Sequence, residues 1–222
     1  DNGDVGRIIA VKQAIARLFE SHGQFKEAEA LFEECLQSRR KEAYSKGLKE
    51  GESEAVLTAM HELARVNHNQ GFLDKALPLY QDCLTKRQEL LGRTHPDTVN
   101  SMNNVANVYF TRSFQQQQMQ ASEDDMKIAQ RLFADCLAIR QETLGENHEE
   151  TLNAMMTLAT FYFNHGKKKV DDIVEGKASQ QVNMDASRSL LVEAEQLFTD
   201  CLQRQREVLG ENHPETLKCL YY

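Results

Sequence analysis

Tryptophan is absent from this 222-residue chain, and the other aromatics are few, with 10 Phe and 6 Tyr. Its apolar interfaces must be built largely from Leu, Ala, Val, Ile, Met and Cys, which suits thin repeated layers better than one thick core. Proline is scarce, at 3 residues, and glycine numbers 11. That is too little punctuation for many short strands, so helix is expected. Positive charge is also in deficit: 26 Lys and Arg face 34 Asp and Glu, giving a net charge of −8 and a pI near 5.4. A nucleic-acid surface would need clustered cations to replace counterions on phosphates. The one tight basic run, Lys167 to Lys169, is followed at once by Asp171 and Asp172, as in a solvated loop. No stretch approaches the ~20 apolar residues of a membrane span. The opening DNGDVGRIIA lacks the charged-then-apolar order of a signal peptide. Cysteine is too sparse and too odd in number, at 5, for a secreted disulfide scaffold, so a reducing, cytoplasmic compartment is expected. The hydrophobic share of 41% and charged share of 27% are ordinary for a folded domain.

What the sequence does have is self-similarity. The segments EALFEECLQSR, LPLYQDCLTKR, QRLFADCLAIR and EQLFTDCLQRQ superimpose, bringing Cys35, Cys83, Cys136 and Cys201 to one position. Phe32, Tyr80, Phe133 and Phe198 stand three residues before each Cys, and Ala28, Ala76, Ala129 and Ala194 seven before. A second register lies upstream, where Ala16, Ala64, Ala106 and Ala159 follow Ile15, Leu63, Val105 and Leu158. The uninterrupted interval from Ala64 to Ala106 is 42 residues, the base unit. The successive Cys intervals of 48, 53 and 65 exceed it by 6, 11 and 23. These excesses fall in KEAYSKGLKEGES, around FQQQQMQASEDDM, and across GKKKVDDIVEGKASQQVNMD.

Each half-unit has a helical period. Leu73, Ala76, Leu77, Tyr80, Cys83, Leu84, Arg87 and Leu91 fall on one face of a helix B, and Val99, Met102, Val105, Ala106 and Tyr109 on one face of a helix A. Gly23 and Gly71 suit the turn inside a hairpin. Between units the chain reads LGRTHPDT, LGENHEET and LGENHPET. Gly92, Gly145 and Gly210 stop helix B, and Pro96 or Pro214 opens the next helix A. Asn147 with Glu150 and Asn212 with Glu215 have capping-box spacing. Small residues on both helices let their axes approach, and the Phe or Tyr beside them fills the gap. One hairpin cannot bury both faces, so neighbours must stack.

The small, aromatic, small pattern on paired helices resembles the tetratricopeptide repeat, with Cys where that motif usually closes on Ala. The usual repeat has about 34 residues; the eight extra here add about two turns, or ~12 Å, of helix. The long unit, with L-G-x-x-H-P-x-T between repeats and MNNVANVY in helix A, looks like the kinesin light chain type, and the resemblance runs from about Arg7 to Tyr222. It implies an all-α, right-handed superhelical solenoid of antiparallel helix hairpins. The expected repeats are 7–41, 54–92, 97–145 with an insertion near 113–124, and 149–210 with an insertion near 166–185. A fifth repeat is expected to start at 214–222, cut in mid-pattern like the opening of the chain. No heptad segment suited to pairing with a motor heavy chain is present, so the fold and the binding role carry over and the motor does not.

Chemistry finds no foothold. His95, His148 and His213 recur because they mark helix starts, and repeated residues on successive layers do not converge on one zinc ion. The four aligned cysteines read as small buried hydrophobes. No phosphate-binding, dinucleotide-binding, serine-hydrolase or zinc-protease motif occurs. No catalytic residue, metal site or cofactor is expected.

In such stacks helix A lines the concave face, and the resemblance then implies a peptide-binding set: Gln13, Arg17, His61, Arg65, His68, Asn100, Asn103, Asn107, Phe110, Asn153, Met156 and Phe163, with Glu20, Thr58 and Thr160 in the same rows. Asparagine can pair both backbone groups of an extended peptide, while Arg17 and Arg65 could hold a carboxylate. The expected partner is a protein or peptide, acidic toward one end and apolar toward the other, with no nucleic acid and no membrane span. The insertions suggest a second role, docking into a larger complex: Ser122 and Asp125 read as an N-cap pair, and the segment containing Gly166 and Gly176 as a mobile protrusion. The reading is a protein-interaction adaptor, with a structural subunit of a larger assembly as the alternative.

Overall fold

The computed structural model describes residues 2–115, 119–176 and 180–219. Among them are nine α-helices: α1 (Asn2–Ser21), α2 (Phe25–Ser45), α3 (Glu54–Asn69), α4 (Leu73–Leu91), α5 (Pro96–Gln115), α6 (Met119–Leu144), α7 (Glu149–Val174), α8 (Gln180–Leu209) and α9 (Pro214–Cys219). Odd-numbered helices carry the helix A register and even-numbered ones the helix B register. The chain forms two compact units, residues 1–112 and 113–222.

In the first unit α1 pairs with α2 and α3 with α4, and α3 also lies on α2. The packing follows the repeated small residues. Ala16, Ala28, Ala59 and Phe32 are fully buried with Val56, Leu57, Met60 and Val66 in one core. Arg87 of α4 reaches onto α5, where one nitrogen donates to Asp97 O at 3.1 Å and to Ser101 Oγ at 2.8 Å. In the second unit α7 lies on α6 and α8 on α7. The rings of Phe133 and Phe161 join α6 to α7 with centroids 5.6 Å apart.

The aligned cysteines sit where helix B crosses helix A. Cys35, Cys83 and Cys201 direct their thiols at the carbonyls of Ile9, Leu57 and Leu152, at 3.8, 3.4 and 3.4 Å. That contact gives Cys, in place of Ala, a job within the hairpin. All five thiols are free and buried.

Gly92, Gly145 and Gly210 end α4, α6 and α8 with φ of +90°, +89° and +87°, a region that L side chains rarely adopt. The histidine that follows is the cap. Nδ1 of His95, His148 and His213 accepts from the backbone N–H of Asp97, Glu150 and Glu215, at 3.2, 3.2 and 3.3 Å. This corrects the capping-box reading: His148, not Asn147, occupies the N-cap of α7. An imidazole lone pair, one residue after the expected Asn147, accepts the backbone N–H that an Asn oxygen takes at other N-caps.

Two insertion readings are also corrected. Ser122 is no N-cap; it lies inside α6, buried, donating to Ser113 O at 2.7 Å. The 23-residue insertion is no loop, because its described residues lengthen α7 to Val174 and start α8 at Gln180. Gly166 sits within α7 at a close crossing with α8, where a Cβ would come 3.0 Å from Leu191 Cγ, and Gly176 (φ +72°) follows the helix end. Part of the FQQQQMQ segment lies outside the described residues.

Candidate functional site

The expected site residues fall into two sets, one in each unit. In the first unit, neighbouring A helices are cross-linked by a charged ladder. Arg17 of α1 donates to Glu62 of α3 at 2.9 Å. Arg65 of α3 bridges Glu62 and Glu20, and Asn69 also donates to Glu20, at 2.7 Å. Burial is the strongest single influence and works against charge on Glu62, but the hydrogen bonds and charges of Arg65 and Arg17 together outweigh it and hold the carboxyl below its usual range. Burial likewise is the strongest single influence against the Arg65 cation, and the hydrogen bonds and charges of Glu62 and Glu20 together prevail over it. Both arginines do hold carboxylates, and these belong to the chain itself. Sequence reasoning missed Glu62 because its two partners lie on different helices.

The histidines of α3 are committed as well. Asn104 Nδ2 donates to His61 Nε2 at 2.7 Å, and the His61 ring meets the buried Tyr80 ring edge-on at 5.4 Å. Burial, with Arg87 nearby, brings the His61 pKa down to about 4. His68 lies within 3.4 Å of Thr111 Oγ1 and is also lowered by burial. Next to these engaged groups, Asn103 and Asn107 are half-exposed one turn apart on α5. Neither side-chain amide has a hydrogen-bond partner among the described residues. Gln13 is half-exposed, Asn100 is exposed, and Phe110 is half-buried.

In the second unit the set divides. Asn153 and Phe163 are half-buried on α7, but Met156 is 7% exposed. It cannot meet a partner as expected, because α7 lies between α6 and α8 and buries most of its circumference. Phe163 instead borders an apolar groove with Leu191, Ala194, Phe198 and Leu202, about 410 Å³ in volume. A charged cluster joins the lengthened parts of α6 and α7. His165 Nε2 lies 3.7 Å from Glu123, and Lys169 donates to the same carboxylate at 3.0 Å. The His165 contact, helped by Lys169, lowers the Glu123 pKa to about 2. No helix among the described residues is long and apolar enough to cross a membrane.

The chain matches two family models described as tetratricopeptide repeat, one over residues 55–118 and the other over 10–43, 98–150 and 184–215. No curated protein sequence matches it. Among solved structures it is similar to nearly identical TPR-like repeats of a candidate kinesin light chain from Podosopora anserina, with a TM-score of 0.66 at 22% identity, over 95% of this chain and 81% of the other. BtubC (BKLC) from P. vanneervenii is similar with a TM-score of 0.59 at 17% identity, over 96% of this chain and 85% of the other. These likenesses establish an all-α helical-repeat fold of solenoid type. With repeat models matching more than half of its residues, the chain belongs to the tetratricopeptide repeat family, whose fold is a non-enzymatic scaffold for protein interactions.

Proposed function

We propose that the chain is an adaptor of kinesin light chain type that binds an extended peptide segment along its helix A face. The observation that carries this reading is the pair Asn103 and Asn107. Their amides are half-exposed and unpaired among the described residues, while Asn104 between them is held by His61. A carboxamide can donate to a peptide carbonyl and accept from a peptide N–H. Two of them about 6 Å apart along a helix can hold an extended backbone without regard to its side chains.

The charged ladder refines the expected partner. Arg17 and Arg65 are neutralised by Glu62 and Glu20, so an acidic end is not what this face asks for. Affinity comes from the asparagine pair, with the half-buried Phe110 one turn further along α5. The buried free thiols fit a reducing compartment.

Peptides selected on the 222-residue chain from a displayed random library supply the test. Asn103→Ala with Asn107→Ala should weaken their binding about tenfold or more, measured by fluorescence anisotropy, with an unchanged thermal midpoint. Unchanged affinity would mean that the selected peptides bind elsewhere and that this face is not the groove.

A further inference from the structure

Counterparts along the A helices can be read from the aligned alanines. The residue after Ala16, Ala64, Ala106 and Ala159 is Arg17, Arg65, Asn107 and Thr160, and the residue two before is Ala14, Glu62, Asn104 and Thr157. Arg65 therefore holds on α3 the place that Asn107 holds on α5, and Glu62 the place of Asn104. The two faces touch, since Asn104 Nδ2 donates to His61 Nε2 at 2.7 Å and His68 Nε2 lies 3.4 Å from Thr111 Oγ1. An extended segment held by Asn103 and Asn107 and running on toward the first repeat passes over Arg65 and Glu62. In the Glu62 row, only α3 carries a carboxylate.

Without that carboxylate, this stretch would draw acidic segments. Arg17 and Arg65 would share one remaining anion, Glu20, and guanidinium groups take peptide carboxylates in paired hydrogen bonds. Glu62 cancels the attraction. Both of its oxygens are taken: Oε1 accepts from Arg17 at 2.9 Å, and Oε2 accepts from Nε of Arg65 at 3.2 Å and from its Nη2. Its side chain is 12% exposed against 33% for Arg65, so the carboxylate lies deeper than the guanidinium that it neutralises. It is ionised at neutral pH, because its carboxyl titrates below the usual range. Glu20 is held by Arg65 and Asn69, and the ladder's two cations and two anions balance. A segment bringing its own carboxylate here would set it beside two part-buried ones, where solvent screens poorly.

We propose that Glu62 sets the selectivity of this face, turning acidic segments away and restricting the partner to one without carboxylates where it crosses α3. This rests on the peptide-binding reading above and makes Glu62 a specificity residue, acting by repulsion and by occupying the arginines.

Parallel selections from a displayed random library, on the wild-type 222-residue chain and on Glu62→Gln, test this. Glutamine keeps the shape and still accepts a hydrogen bond, but leaves Arg17 without a carboxylate. Peptides selected on the variant should be enriched in Asp and Glu. Fluorescence anisotropy should find them about tenfold or more tighter on Glu62→Gln than on wild type, with the gap shrinking between about 50 mM and about 500 mM salt. Adding Asn103→Ala and Asn107→Ala to Glu62→Gln should weaken the same peptides. Circular dichroism melts check folding, and Glu62→Asn, which copies the α5 counterpart, takes the place of Glu62→Gln if that variant does not fold. Acidic peptides that bind wild type equally well, or two selections alike in their charged residues, would overturn the proposal without touching the asparagine pair. A gain on Glu62→Gln that ignores the asparagine changes would uphold Glu62 as the selectivity residue and overturn the asparagine groove alone.

Discussion

His61 shows how a residue on the expected binding face becomes a structural one. Its Nε2 accepts from Asn104, which requires the neutral ring, and burial favours the same state. The sign follows from linkage. The unfolded chain titrates His61 near 6.5 and the folded chain at about 4, so between those values the unfolded state binds more protons. The stability from neutral His61 is complete above about pH 6.5 and lost as pH falls toward 4, amounting to about 1–2 kcal/mol at pH 5 for this partly exposed group. Urea midpoints should therefore drop from about pH 7.5 to about pH 5, and His61→Gln should remove part of that slope; an identical slope in the variant would locate the acid sensitivity elsewhere. Arg17 and Arg65 make a related point. The Arg65–Glu62 pair, three residues apart on α3, can be read from the sequence, but the Arg17–Glu62 and Arg65–Glu20 bonds close only when α1 and α3 lie side by side. The free state of Asn103 and Asn107 is equally illegible, because their neighbour Asn104 is the same residue type and only the stack decides which amide is taken.

Helix register is legible wherever a segment can be laid on its counterpart in another repeat. The alanines, the aromatic beside them and the glycines at helix ends all fall where the pattern puts them, because each position meets the same neighbour in every layer. The insertions have no counterpart, and there the sequence misleads: glycine at 166 and 176 reads as loop punctuation. Gly166 is glycine for another reason. With Leu191 Cγ 3.0 Å and Ser187 O 3.3 Å from where its Cβ would stand, it lets α7 and α8 cross closely. Ser187 Oγ also donates to Gly166 O, at 2.9 Å. Alanine favours an exposed helix by about 1 kcal/mol, yet Gly166→Ala should destabilise the protein by about 1–3 kcal/mol, because the crossing must widen. Equilibrium urea unfolding checks this. A stabilised variant would mean that Leu191 moves aside at no cost.

At the scale of the whole chain, stability is shared among contacts between neighbouring helices, so single repeats can open while others hold. Five buried thiols are distributed along that series, one in each of α2, α4, α6, α8 and α9. Burial raises the pKa of Cys35, Cys83 and Cys219, and takes Cys136 and Cys201 to about 12. Thiolate is the reacting form, so in native buffer at neutral pH Ellman's reagent should modify all five at least ~100-fold more slowly than free cysteine. In guanidinium all five should react at once. A thiol that reacts fast in native buffer would show its helix crossing to be open. The cysteines that align the repeats thus form a set of built-in clocks. Mass spectrometry of the labelled sites would time each crossing separately, mapping the stability of the molecule repeat by repeat without a single engineered probe.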